Sequence, residues 1–135
     1  MRTLAAAACL ILLLSGCAST AVSPAGKAER CSVIAEVARS QYGFGPELGL
    51  PLSEDSWGTD CDWTANGVPM AIVRSEDFDI LGSQYQFEQP RQRGGMMTVK
   101  AIHSGHNFIV RTCRLRRDGD GWRLVSECPI TDYRH

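Results

Sequence analysis

Between Lys27 and Tyr42 the apolar residues Cys31, Ile34, Ala35, Ala38 and Tyr42 recur every three or four positions, with Glu29, Ser32, Glu36, Arg39 and Ser40 between them. That period predicts one amphipathic helix. Gly43 supplies a left-handed stop after it, and Gly45-Pro46 prevents its resumption. The apolar stripe is narrow and rich in alanine, which suits packing on a sheet. After a loop holding Leu48, Leu50 and Leu52 the period changes to two. Trp57, Thr59, Cys61, Trp63 and Ala65 alternate with Gly58, Asp60, Asp62 and Thr64, which predicts a strand with its tryptophans turned inward. Asn66-Gly67 favours a type I′ turn, so Val68 to Val73 is expected to return as the antiparallel partner, near a sheet edge because Pro69 cannot donate to a ladder.

Three further strands are expected over 84–88, 96–103 and 108–116, the last returning through Asp118-Gly119-Asp120-Gly121 over 122–128. Pro90 to Gly95 and Ser104 to Asn107 are read as turns. One helix followed by hairpins predicts an α+β fold, the helix packed on an antiparallel sheet of five or six strands. That order, with its closing Gly-Asp-Gly-Trp hairpin, is similar to cystatin-like and NTF2-like cone folds. The likeness is one of architecture and carries no function by itself.

The N-terminus has a different character. Arg2 precedes an uninterrupted apolar stretch from Leu4 to Leu14, shorter than the 18 or so residues that a spanning helix needs. Leu14-Ser15-Gly16-Cys17 resembles the lipobox of bacterial lipoproteins, in which small residues admit the signal peptidase and the cysteine carries the lipid. The resemblance implies that residues 1–16 are a signal peptide and that Cys17 becomes the diacylglycerol-bearing, N-acylated first residue of the mature chain. Two or three acyl chains make release from a bilayer negligible. Ala18 stands where an aspartate would retain such a protein in the inner membrane, so the resemblance implies an outer-membrane anchor with the domain facing the periplasm. Ala18 to Gly26 is small, uncharged and interrupted by Pro24. It reads as a tether, making 17–26 a lipidated linker and 27–135 a single domain.

Charge is unevenly divided within a near-neutral chain of net charge -1, with 21% charged and 44% hydrophobic residues among 135. That balance excludes a disordered polyelectrolyte and a basic nucleic-acid-binding domain. Residues 27–89 carry four basic and eleven acidic side chains, whereas 90–135 carry nine basic and four acidic. Arg114 and Arg116 share one strand face, and Arg123 on the returning strand extends either that face or the one holding Arg111. Such a basic face suits lipopolysaccharide or an acidic envelope protein, unless the acidic half neutralises it within the molecule.

Cys9 leaves with the signal peptide and Cys17 is assigned to lipid, so Cys31, Cys61, Cys113 and Cys128 remain. Four cysteines in a small exported domain imply two disulfides, with three connectivities. A two-residue Asp120-Gly121 turn would set Cys113 opposite Cys128, albeit at a hydrogen-bonded position, and a longer turn would offset them. Cys31 would then join Cys61, the helix to the first strand. No cysteine pair has zinc-ligand spacing.

Other candidate chemistry is sparse. His103 and His106 bracket a turn and could bind copper or zinc or act as a base, but no third ligand lies near them and His135 ends the chain. Asp60 and Asp62, after Glu54 and Asp55, could hold calcium or do acid–base work, yet read more simply as a solvated strand face. Trp57, Trp63, Trp122, Tyr85, Phe87 and Phe108 read as core. No cofactor motif and no nucleophile–base pattern appears, so the expectation is a non-catalytic, lipid-anchored binding or structural module. Two alternatives stand beside it. Ser104-Gly105-His106-Asn107-Phe108 loosely echoes the Ser-Gly loop of lysozyme-inhibitor lipoproteins, which act on cell-wall-cleaving enzymes. An NTF2-like carrier or enzyme would need a hollow cone with an ionisable group pointing in.

Overall fold

A computed structural model describes residues 23–74 and 82–135. The expected signal peptide, Cys17 and the linker up to residue 22 lie outside the described residues. The order is helix α1 (Lys27–Tyr42), then strands β1 (Leu50–Ser53), β2 (Met70–Val73), β3 (Gln84–Phe87), β4 (Arg91–Arg93), β5 (Met96–Ser104), β6 (Phe108–Asp118), β7 (Gly121–Leu124) and β8 (Ile130–Arg134). The class is α+β, with one helix on one sheet among the described residues. No helix among the described residues is long and apolar enough to cross a membrane.

The helix has the bounds its periodicity predicts. Gly43 ends it at φ 73°, and the cap amides bond back to the Ala38 and Arg39 carbonyls, the left-handed cap that glycine adopts at least cost. Its buried face is wider than the stripe in the sequence, because Val33 and Val37 are fully buried together with Ile34, Ala35 and Ala38. These residues share one core with Leu50, Leu52, Trp63, Val68, Phe87, Met97, Val99 and Leu115. Packed side chains occupy the space between helix and sheet.

The sheet has eight strands rather than five or six, and it is mixed. Its spine is β2-β1-β3-β5-β6-β7, with β4 continuing along the β3 edge of β5 and β8 along the β7 edge of β6. β1 runs parallel to both β2 and β3, with Leu50 opposite Met70 and Leu52 opposite Tyr85. The remaining pairs are antiparallel. Parallel neighbours need a crossover, and the segment between β1 and β2 supplies it.

That segment is where the expected first strand fails. Residues 57–65 are a succession of turns, not a strand. Gly58 takes φ 86°, and the backbone closes on itself through Cys61 N to Gly58 O, Gly67 N to Thr64 O and Val68 N to Trp63 O. The Asp62 carboxylate accepts from Ala65 N, and the Asn66 amide donates to Asp62 O. Short polar side chains here offer the backbone local partners that compete with a ladder. The Trp63 indole also donates to Gly58 O. β2 therefore forms, but against β1 and not through an Asn66-Gly67 hairpin.

Three strands fall where a loop, a turn or a tail was expected, β1 among them in the stretch that holds Leu50 and Leu52. β4 occupies the middle of the Pro90–Gly95 stretch, and the Gly94-Gly95 turn leads into β5, with Arg93 opposite Met96. β8 covers the C-terminal tail, Ile109 facing Tyr133. The β6–β7 turn is Gly119-Asp120, with Asp118 opposite Gly121, so the register differs from that of an Asp120-Gly121 turn.

Cys31 and Cys61 are nevertheless disulfide-bonded with Cα atoms 5.6 Å apart, and so are Cys113 and Cys128 at 4.6 Å. The first bridge ties α1 to the crossover. The second sits past the end of β7, where Cys128 N donates to the Gln41 side chain and Arg111 donates to Cys128 O.

Candidate functional site

Alternation along β5 and β6 divides the sheet into two unlike faces. Met97, Val99, Ala101, Cys113 and Leu115 point toward α1 and are fully buried. The intervening positions point away, and no described element covers them. The register there places Arg91 (β4), Thr98 (β5) and Arg114 (β6) in one cross-strand row. Arg93, Met96, Arg116 and Arg123 form the next. Neighbouring strands lie about 4.8 Å apart, so five guanidiniums are laid out on one pleated surface, and all five residues are exposed. Lys100 extends the array by one row toward the sheet centre and sits 3.9 Å from Glu88.

The cations elsewhere among the described residues are engaged. Lys27 pairs with Asp60, Arg39 with Glu36 at 2.8 Å, Arg117 with Glu29 and Arg134 with Asp132 at 2.7 Å. Arg30 donates to the Ala25 and Pro90 carbonyls, Arg111 to that of Cys128, and Arg74 has a partner too. On the open face Arg123 is paired with Asp118 at 2.9 Å. Among the described residues, Arg91, Arg93, Arg114 and Arg116 hold no ion pair or side-chain hydrogen bond, and all four belong to this one face. Intramolecular neutralisation, the alternative weighed from the sequence, therefore leaves these four arginines unmatched within the described residues.

Arg111 does not join the array, because its position in β6 points to the helix side. There Glu29 accepts from both Arg117 and the Trp122 indole, the latter at 2.7 Å, and Arg117 lies 5.0 Å over the Trp122 ring. This cluster docks the first turn of α1 on β7. Trp63, Phe87 and Trp122 are buried as expected, whereas Trp57, Tyr85 and Phe108 are half-buried. Phe108 lies on the open face with Arg134 5.0 Å above it.

The histidines and aspartates are dispersed. His103 stacks on Tyr85, ring centroids 4.6 Å apart, and burial holds its imidazole below the ordinary range. His106 is exposed in the β5–β6 turn, and His135 meets the Asn107 side chain at 3.3 Å. Asp60 is held below the usual carboxylate range, first by its hydrogen bond from Lys27, and Asp62 caps a turn. Neither aspartate lies on a strand. Among the described residues no group of three or more His, Cys, Asp or Glu is placed to hold a metal ion. Burial pushes the Tyr42 phenol up to about 12, with the Tyr85 ring edge-on to it and Phe44 edge-on to Tyr85.

Arg114 and Arg116 were legible as sharing a face, and the β6–β7 register adds Arg123 to it, which the sequence had left between that face and the one holding Arg111. Arg91 and Arg93 were missed because Pro90 and Gly94-Gly95 make their segment look like a turn. The available signal was the alternation Arg91-Gln92-Arg93 immediately before a two-glycine turn and a long strand. No family model, curated protein or solved structure matches this chain.

Proposed function

We propose that this protein is a lipid-anchored, non-catalytic binding module of the bacterial cell envelope, whose binding surface is the arginine-bearing open face of the sheet and whose partner is polyanionic. The observation that carries this reading is that, among the described residues, the four unpartnered guanidiniums all gather on one uncovered face. Arginine forks match phosphate and carboxylate oxygens bidentately and are weakly hydrated, which favours recognition at such a surface. The Leu14-Ser15-Gly16-Cys17 motif supports the anchor. A packed core between helix and sheet favours surface recognition over a ligand enclosed in a cone.

Two experiments test the reading. Replacing Cys17 by Ala should abolish incorporation of labelled palmitate, and label retained in that variant would remove the anchor. Binding of the purified chain to inorganic polyphosphate should weaken as salt is added. Changing Arg91, Arg93, Arg114 and Arg116 to Gln should weaken it by about 30-fold, taking roughly 0.5 kcal/mol per exposed charge contact. Unchanged affinity in that variant would remove the face.

A further inference from the structure

The end of the tether is fastened to the β4 edge of the sheet, through a side chain on the helix side of that strand. Ser23 O accepts from the Gln92 side chain at 3.0 Å, and the Ala25 amide donates to the same side chain. Gln92 is the residue between Arg91 and Arg93 on β4. Arg30, from the first turn of α1, reaches back to the Pro90 carbonyl just before that strand. Ser23 to Ala25, which the sequence assigns to a free linker, is thus pinned to the strand that carries two of the four unpartnered guanidiniums.

Five residues lie between Cys17 and Ser23, and the six chain steps from one to the other span at most about 20 Å even when fully extended. An acylated Cys17 would therefore hold the β4 edge within about 20 Å of the bilayer surface, a few Debye lengths at physiological salt. The opposite side of the molecule has the wrong sign for that surface. α1 is nearly balanced, Lys27, Arg30 and Arg39 against Glu29 and Glu36, but the crossover bridged to it by Cys31–Cys61 adds Glu54, Asp55, Asp60 and Asp62 and no cation, so the two together are net negative. The charge distribution would turn the arginines, and not the helix, toward negative headgroups.

We infer that the arginine face lies flat on the phosphate-bearing headgroups of the same leaflet that holds the acyl chains, so that the protein is bound to its membrane by lipid and by sheet together. This rests on the anchored, polyanion-binding reading above and names its partner. The contact is electrostatic rather than inserted. The apolar side chains among these rows, Met96 and Ile102, are half-buried, and Phe108 lies beneath Arg134. A cation near an anionic leaflet contributes about fivefold in partitioning, and the contribution is lost as salt rises.

The test uses the full chain with phosphatidylcholine vesicles and with vesicles containing added phosphatidylglycerol. The apolar leader contributes to both, so the ratio of the two partition constants reads the charge contact alone. The wild-type chain should favour the anionic vesicles. Arg114→Gln with Arg116→Gln should lower the ratio by about 30-fold, whereas Lys27→Gln with Arg39→Gln, of equal charge but on the helix side, should leave it within about twofold. Equal losses in both double variants, or no preference in the wild-type chain, would overturn the inference. If polyphosphate binding survives in a chain indifferent to vesicle charge, the membrane is overturned as the occupant while the anion-binding face stands. Loss of both would bring down the reading beneath it.

Discussion

Arg116 stands directly opposite Arg123 on adjacent strands, and like charges at such a position destabilise a ladder by roughly 0.2–1 kcal/mol. Asp118 neutralises Arg123 only in part, from an exposed ion pair. Arg116→Thr should accordingly raise the midpoint of chemical denaturation while weakening polyphosphate binding, and a variant that loses both would mean that Arg116 is structural. Gly58 makes the opposite demand. It holds φ 86°, and a Cβ there would come within 2.6 Å of the Ile34 terminal methyl and 3.0 Å of the Cys61 sulfur. Gly58→Ala should cost about 2–4 kcal/mol, combining a left-handed backbone with an overfilled core. Gly94, also at positive φ but with nothing within 4 Å of such a Cβ, should cost only the backbone part, about 1–2 kcal/mol. Equal losses at the two glycines, measured by urea unfolding, would contradict this packing.

At the scale of elements, the crossover depends on the Cys31–Cys61 bridge more than on any ladder. Its two cysteines are 30 residues apart, against 15 for Cys113 and Cys128. Replacing the first pair by Ser should cost about 3–4 kcal/mol and the second slightly less, by loop length; the reverse order in thermal unfolding would contradict it. The Tyr42 cluster adds a pH dependence. A phenol held at about 12 in the folded chain and near 10 when unfolded lets the unfolded state lose its proton first. Stability should therefore fall as pH rises from 10 to 12, and Tyr42→Phe should flatten that fall. His103, held low by burial, acts in the other direction: the unfolded state takes up the proton first, so stability should fall as pH drops below about 6.5. Elements with a single strong period were legible in sequence. The helix and β5 and β6 follow their patterns, and Gly43 marks an end that the cap geometry explains. The 57–65 segment carried the period of a strand by coincidence, because what the alternation separated was core tryptophans from turn-forming Asp, Gly and Thr. β1, β4 and β8 escaped notice for a different reason. Each is five residues or fewer, and each is defined by its neighbours in the sheet rather than by a pattern of its own.

For the whole molecule, the arginines of the second half and the carboxylates of the crossover lie on different elements among the described residues. The basic second half forms the β4–β7 hairpins, whose open face collects the arginines, while the crossover bridged to α1 carries Glu54, Asp55, Asp60 and Asp62 without a cation. Arg114 and Arg116 could be grouped from sequence because one strand contains them, and the β6–β7 register adds Arg123. Arg91 and Arg93 could not, because only the pairing of β4 with β5 brings them alongside. The unpartnered guanidiniums are the proposed contact surface. The most direct measurement follows the arginine side-chain Nε–H signals by NMR while inorganic polyphosphate is titrated into the folded chain. Arg91, Arg93, Arg114 and Arg116 should shift together and saturably while Arg30, Arg111 and Arg117 stay still. Shifts scattered over all the arginines, or confined to the helix side, would contradict that surface.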